Sequence, residues 1–403
     1  MSAERASAPA LTPGLLAALG FVGMAGSLAT DLYLPAFPSL QSDFGASAST
    51  VQLTLTAFLL GAAVGQFAAG TVSDALGRRR TLLTALAMYA LAGFGSAAVG
   101  SIEAVIALRF VQGVFGAVGA ALARAVVADL AEREQATRGL SVLVAMTGLG
   151  PVFGSPIGAV LAEWGGWRLS LIGLASIATA MVAVTLFAIP ESLPRERRHP
   201  LAARRLLGNL ATLVRDGAFL GYALSYAFTY GSFIIYIASS SFIVQNVFGQ
   251  TPVAYSLAFS AGSLSFVAGA MLNARLARRA GAGPALRVAH VLALAASGAL
   301  LVLAVSGSLS FAVWVPLSCL FTAGIAGGMS NSTARALARA GFAAGAGSAA
   351  LGLFQYVVGA ALTPIGGLWG AATPLPALIG MVGAALVALA GATIGDRREA
   401  RSN

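Results

Sequence analysis

The chain has 403 residues, of which 58% are hydrophobic and only 9% charged. Soluble domains run near 25% charged, so water is not its main solvent. The formal net charge of +10 is carried by 24 arginines without a lysine, and their placement excludes a nucleic-acid footprint.

A helix crossing a bilayer needs about 20 mostly apolar residues. Such stretches run at approximately 14–38, 50–72, 80–100, 103–127, 140–162, 167–189, 217–244, 252–275, 284–306, 309–330, 344–369 and 374–395. Helices keep their backbone hydrogen bonds internal, so an all-α bundle of twelve spans is predicted. The alternating ten-residue segments of a membrane β-barrel are absent from the sequence. With the N-terminus inside, 22 of the 24 arginines fall on one side, all but Arg109 and Arg168. That is the positive-inside pattern, with both termini cytoplasmic and the basic excess against anionic headgroups. The start through Pro13 leads straight into the first apolar stretch, which is expected to stay as an anchor. Cys319 is the only cysteine, which excludes a disulfide framework and a Cys-based metal site.

The longest hydrophilic stretch, Glu191 to Asp216, divides the chain into nearly equal halves. The predicted organisation is an N-terminal six-helix bundle over 1–192, a cytoplasmic linker over 193–215 and a C-terminal six-helix bundle over 216–403. Leu201, Leu206, Leu207, Leu210 and Leu213 interleave with arginines in the linker. Either an amphipathic helix on the inner leaflet or a solvated connector fits that pattern. Equal halves suggest a duplicated transporter with its site between them. The loop after span two reads Gly70-Thr-Val-Ser-Asp74-Ala-Leu-Gly77 followed by Arg78–Arg80, and the loop after span eight repeats the arginines and a glycine, Gly281, without the aspartate.

Gly70 and Gly77 allow a tight connection at the inner face. Asp74 can accept from helix N-termini, and the arginines can pair with acids such as Asp129. By itself this reads equally as a structural latch and as topological charge. The pattern Gly-x-x-x-Asp-x-x-Gly-Arg resembles the signature loop of the major facilitator superfamily. The resemblance implies a latch on one conformational state, made by Gly70, Asp74, Gly77, Arg78, Arg80 and Asp129. Leu108-Arg109-Phe-Val-Gln112-Gly113 in span four resembles a second element of the family. Gly150-Pro151-Val-Phe-Gly154 in span five is similar to its antiporter motif, with Ser155 and Met146 where glycine is common. Thr30-Asp31-Leu-Tyr33-Leu-Pro35, Gly166-Trp167-Arg168 and Pro190-Glu191-Ser192-Leu193 resemble the bicyclomycin and chloramphenicol resistance branch of drug:proton antiporters. Asn331 and Gln355 fit that branch as well.

An ionised side chain deep in a span costs at least about 2.5–3.5 kcal/mol, so it normally faces the bundle and finds a partner. Asp31 and Arg109 fall at about the same depth, roughly 10 Å inside the outer edge. The expectation is that both face a central cavity and interact, with proton and substrate competing at Asp31. The plainer alternative is an interfacial Asp and an Arg that braces helices. Relatives with a broad cationic range carry a second carboxylate where this chain has Gly23, so a neutral phenicol-like or peptide-like substrate is as well supported as a cation. Tyr33, Gln52, Gln112, Tyr236, Asn331 and Gln355 are candidate substrate contacts; Gln66, Tyr226 and Tyr230 belong to the same polar and aromatic set. Each reads equally as a helix–helix hydrogen bond. His199 and His290 receive no proton-relay role.

No nucleotide-binding loop, zinc motif or nucleophile elbow occurs in the sequence, so an enzyme, a metal site and a cofactor are not expected. What the resemblance implies is a monomeric, proton-coupled exporter of drug-like small molecules in the bacterial inner membrane, working by alternating access. An uptake symporter for a small metabolite and a non-transporting membrane sensor are the alternatives.

Overall fold

The computed structural model describes residues 11–131, 133–194, 196, 198, 208, 212–341 and 344–402. Among these residues the secondary structure is helical, without a strand. Ten helices are long and apolar enough to cross a membrane, and one bent pair makes a further span. One of the ten, Arg133–Ala188, is itself two spans. It breaks at Gly165 and Gly166, the latter at φ 63° and ψ −163°. Ser170 reaches back to the Gly158 carbonyl at 3.3 Å, so the chain reverses there and supplies spans five and six. Twelve crossings result, as the hydropathy predicts.

Span one departs most from a single rod. It runs as Pro13–Gly23, Ala25–Asp31, a 3₁₀ turn at Leu34–Ala36 and Phe37–Phe44, bent by 41° at Met24. Pro35 and Pro38 lack the amide that a continuous helix would use, so the ladder restarts at each. Spans two, three and four are Ala48–Leu76, Arg78–Ala98 and Ile102–Leu130. Span seven is Gly217–Phe242, extended by a π-turn at Ile243–Val247. Spans eight to twelve are Pro252–Ala280, Ala282–Val305, Phe311–Arg339, Ala344–Leu362 with a 3₁₀ turn at Thr363–Gly367, and Leu375–Ser402. Side-chain caps start several of them. Ser47, Ser101 and Thr251 each accept from an amide three residues on, and Asp216 accepts from Ala218 and Phe219. Burial raises the Asp216 carboxyl, but those amides and Arg339 hold it below the usual carboxylate range.

The halves are two six-helix bundles. In the first, span two lies on span four, span one on span five, and span three on span six. In the second, span seven lies on span twelve, and span ten on spans eight and nine. Lipid offers little hydrophobic drive between helices, so close backbone approach matters more. A Cβ at Gly113 would stand 2.0 Å from the Phe58 carbonyl oxygen, and one at Gly65 would stand 1.9 Å from that of Val114. Spans two and four therefore touch backbone to backbone.

The duplication is visible in one pair of torsions. Gly77 joins spans two and three at φ 97°, ψ 152°, and Gly281 joins spans eight and nine at φ 89°, ψ 160°. Both lie in the region that favours glycine, which explains why the glycine recurs where the aspartate does not. Of the linker residues singled out in the sequence, Leu201, Leu206, Leu207, Leu210 and His199 lie outside the described residues, whereas Leu213 is described and is buried against the second half.

Candidate functional site

A cavity of about 570 Å³ lies between the halves. Its walls come from spans one, two, four and five on one side and spans seven, eight and eleven on the other. Gly116 to Arg124 and Leu143 to Pro151 line it, which places it in the part of spans four and five nearer the arginine-rich face. The opposite end is closed by contacts between the halves. Gln52 donates to the Ala238 carbonyl and the Ser239 hydroxyl, each at 3.2 Å. Gln245 donates to the Pro35 carbonyl at 3.0 Å, and the Phe37 and Phe242 rings meet at 5.8 Å. The halves are thus joined at the end away from the basic face, and the cavity lies on the basic side of that closure.

Asp31 and Arg124 are the charged residues among those lining the cavity. Asp31 ends the Ala25–Asp31 helix and is 3% exposed, with the Thr30 hydroxyl 3.3 Å from its Oδ1. The expectation that Asp31 and Arg109 both face the cavity and interact is corrected by the structure: Asp31 lines the cavity, Arg109 does not, and no ion pair joins them. Arg109 donates from Nη1 to Gln112 at 2.6 Å and from Nη2 to the Ala29 carbonyl at 2.8 Å. Its guanidinium is sandwiched between Tyr33 and Phe58, 4.7 Å from each ring centroid. Phe58 faces the cavity, so Arg109 stands one side-chain layer behind the wall. The physical reason is that a fully buried guanidinium needs its charge spread over several acceptors and π-faces, and the bent span one offers the Ala29 carbonyl for this.

The glycine face of span five lies against the same stretch of span one. A Cβ at Gly150 would fall 2.4 Å from the Ser27 hydroxyl, and one at Gly154 would fall 3.5 Å from the Asp31 Cβ. At Gly158 it would fall 1.9 Å from the Leu32 carbonyl oxygen. Pro151 lines the cavity beside them. The departure at Met146 is matched on the partner, because its sulfur fills the space a Cβ would need at Gly20. Ser155 is buried without a hydrogen-bond partner for its hydroxyl.

At the basic end, Arg78 gathers the loop residues. It pairs with Asp74 at 2.6 Å and Asp129 at 3.0 Å, and its Nη1 donates to Ser73. Its backbone amide donates to Glu191 at 2.8 Å, and Ser192 donates to Asp129 at 2.9 Å. All these partners lie in the first half. Gly70 meets open space, so close approach is supplied by Gly77 and not by Gly70 in this conformation. Arg80 is exposed. The second half reaches a similar tie with reversed charges: Arg335 of span ten pairs with Asp396 and Glu399 of span twelve, and Tyr222 donates to both acids. On the far face Arg168, one of the two arginines outside the basic side, pairs with Asp43 and stacks 4.2 Å from Trp167.

Of the six polar side chains expected around a substrate, Gln355 lines the cavity, where it accepts from the Tyr226 hydroxyl. The other five do not. Tyr33 and Gln112 hold Arg109, and Gln52 closes the far end. Tyr236 is buried in a stack with Phe233, Phe259 and Trp314. Asn331 donates to Asn273 and to the Gly327 carbonyl, tying span ten to span eight. The cavity wall is instead strongly aromatic, with Phe58, Tyr226, Tyr230, Phe233, Phe266 and Tyr356 among its residues. Arg124 was hidden in sequence among the many basic-side arginines. Its position, six residues before the end of span four, was the one signal that set it apart.

The profile of the Major Facilitator Superfamily matches residues 19–367. The chain belongs to that superfamily. It is 31% identical to the MFS-type transporter YdgK of Bacillus subtilis, over 87% of each chain. It is 28% identical to the bicyclomycin resistance protein homolog of Haemophilus influenzae, over 85% of this chain and 86% of that one. The xylose transporter XylE of E. coli, in a partially occluded inward-open conformation, superposes with a TM-score of 0.74 at 14% identity, covering 93% of this chain and 96% of XylE. At that identity the likeness is one of fold. The chain is therefore a multi-pass transporter and not an enzyme, on the branch of the bicyclomycin resistance proteins.

Proposed function

We propose that this transporter is a proton-coupled exporter of drug-like small molecules, with the arginine-rich face and both termini in the cytoplasm of a bacterial plasma membrane. It acts as a monomer by alternating access. The observation that carries the reading is the place of Asp31, the one carboxylate among the cavity-lining residues, directly against the glycine face of span five. A carboxylate that is buried yet reaches the cavity exchanges a proton only with what enters that cavity. A protonated Asp31 carries no charge to compete for an amine, and an ionised one does. Substrate entering from the basic side displaces the proton, and a proton entering from the far side displaces substrate.

Arg109 acts through helix geometry, fixing the end of the Asp31 helix by its bond to Ala29. The Arg78 network holds the basic ends of spans two, three, four and six as one unit, the latch of the moving half. The export direction rests on the bicyclomycin resistance relative and on the Gly-Pro face of span five.

The test is drug susceptibility and accumulation in an efflux-deficient bacterium, with chloramphenicol and a lipophilic cation in the panel. Wild type is expected to lower accumulation of at least one compound, and a protonophore or Asp31→Asn to restore it. Energy-dependent accumulation instead of exclusion would establish uptake and overturn the export reading.

A further inference from the structure

Arg124 is set apart from the other basic-side arginines by where it lies and by what surrounds it. It follows Ala123, which meets Gly23 of span one at 3.8 Å from a Cβ built there. Gly23 stands eight positions before Asp31, so the two charges are separated by about 12 Å of depth at 1.5 Å per residue. The side chain of Arg124 is exposed within the cavity. Like several other arginines, Arg124 has no ion pair among the described residues, but it alone of the described arginines is among those lining the cavity. Asp129, one turn further on, is committed to Arg78 and Ser192.

Between the two charges the wall is a run of tyrosines. Tyr226, Tyr230 and Tyr356 line the same cavity as Asp31 and Arg124. Tyr230 and Tyr356 meet edge to face at 6.3 Å. The cavity is therefore dipolar along its length, with an acid at the closed end, a guanidinium at the mouth and aromatic faces between. Flat apolar bodies suit such walls, and a planar guanidinium matches a carboxylate with two parallel hydrogen bonds.

We infer that the cavity is built for amphoteric substrates: elongated aromatic molecules with an amine directed to Asp31 and a carboxylate directed to Arg124. This rests on the exporter reading for direction, but it concerns which molecules bind. A cation alone leaves Arg124 unmatched in the cavity, and an anion alone faces the Asp31 carboxylate without a counter-charge. Arg124 is a specificity-determining residue, the second charge of the cavity beside Asp31.

The test uses the full-length protein in nanodiscs and calorimetric titration with a rigid series. The probes are 4′-(aminomethyl)biphenyl-4-carboxylic acid, its methyl ester as the cation and its N-acetyl derivative as the anion. The zwitterion is expected to bind at least ten-fold more tightly than either derivative. Arg124→Gln should bring it down to the level of the ester while leaving ester affinity within two-fold. Arg124→Lys should retain part of the preference. Equal affinity of zwitterion and ester in the wild type would overturn the inference, as would an equal loss for all three probes in Arg124→Gln or no binding by any of them. Each of these results leaves the drug-exclusion assay standing. Failure of that assay, with the zwitterion still preferred, removes the export reading alone.

Discussion

Arg109 donates to the Ala29 carbonyl at 2.8 Å, two residues before Asp31, and so holds the helix that presents the carboxylate without pairing with it. The restraint acts through position. A bend at Met24 and a break at Leu34–Ala36 leave the Ala25–Asp31 helix only seven residues long, too short to fix its own direction.

Arg109→Lys tests this. A single ammonium on a flexible stem cannot serve Gln112 and Ala29 together while stacked between Tyr33 and Phe58. Export of a compound handled by wild type should fall at least ten-fold in Arg109→Lys, and Arg109→Met should abolish it. Full transport by Arg109→Met, measured by accumulation at matched expression, would show that span one holds its course unaided.

The contact between spans one and five sets a second expectation. Gly158→Ala places a methyl 1.9 Å from where the Leu32 carbonyl oxygen stands, so the helices must separate. The cost is about 1–3 kcal/mol, the range for overpacking a close contact. Gly298→Ala, where a Cβ meets open space in span nine, should be neutral or slightly stabilising. Thermal melts of the purified variants check both; equal melting temperatures would mean that spans one and five adjust freely.

The latch is tested at Asp129, which accepts from both Arg78 and Ser192. Asp129→Asn keeps the shape and removes the charge, leaving Arg78 with Asp74 and Ser73. Stability should drop by about 1–3 kcal/mol, the range for a charged hydrogen bond at a largely buried group. Ser192→Ala, which removes a neutral donor, should cost less. A larger loss from Ser192→Ala than from Asp129→Asn in the same melts would contradict this account of the network.

At the closed end, Gln52 bridges the halves through Ala238 and Ser239. In a Cys319→Ser background, Ser239→Cys should react slowly with a membrane-impermeant maleimide added on the arginine-poor side. Adding Gln52→Ala should raise that rate several-fold, because the closed state then loses the Gln52–Ala238 hydrogen bond as well as the Ser239 hydroxyl contact. An unchanged rate would mean that closure rests on the ring and backbone contacts of Phe37, Phe242 and Gln245 alone.

The fold was largely legible in the sequence because the bilayer leaves few options. Apolar stretches of about 20 residues must be helices. Asp31 was legible for the same reason, since a carboxylate at that depth needs a cavity or a partner. The rest of the site was not, because a polar side chain in an apolar span reads the same whether it faces substrate or a neighbouring helix. Tyr236 and Asn331 face neighbours, whereas Tyr226 and Gln355 face the cavity. Hydropathy carries no information on rotation about the helix axis, and these helices are apolar on every side. Arg109 misled for a related reason. Matching depth suggested a pair with Asp31, but the break in span one exposes a carbonyl that depth alone does not reveal.

The central claim is that substrate and proton share Asp31, and substrate-driven proton release tests it most directly. Purified protein in weakly buffered detergent solution with a pH-indicator dye is mixed with a compound that wild type excludes from cells. Wild type should release protons in proportion to bound substrate, and Asp31→Asn should still bind but release none. Equal release from both proteins would contradict the account and move proton coupling to another residue.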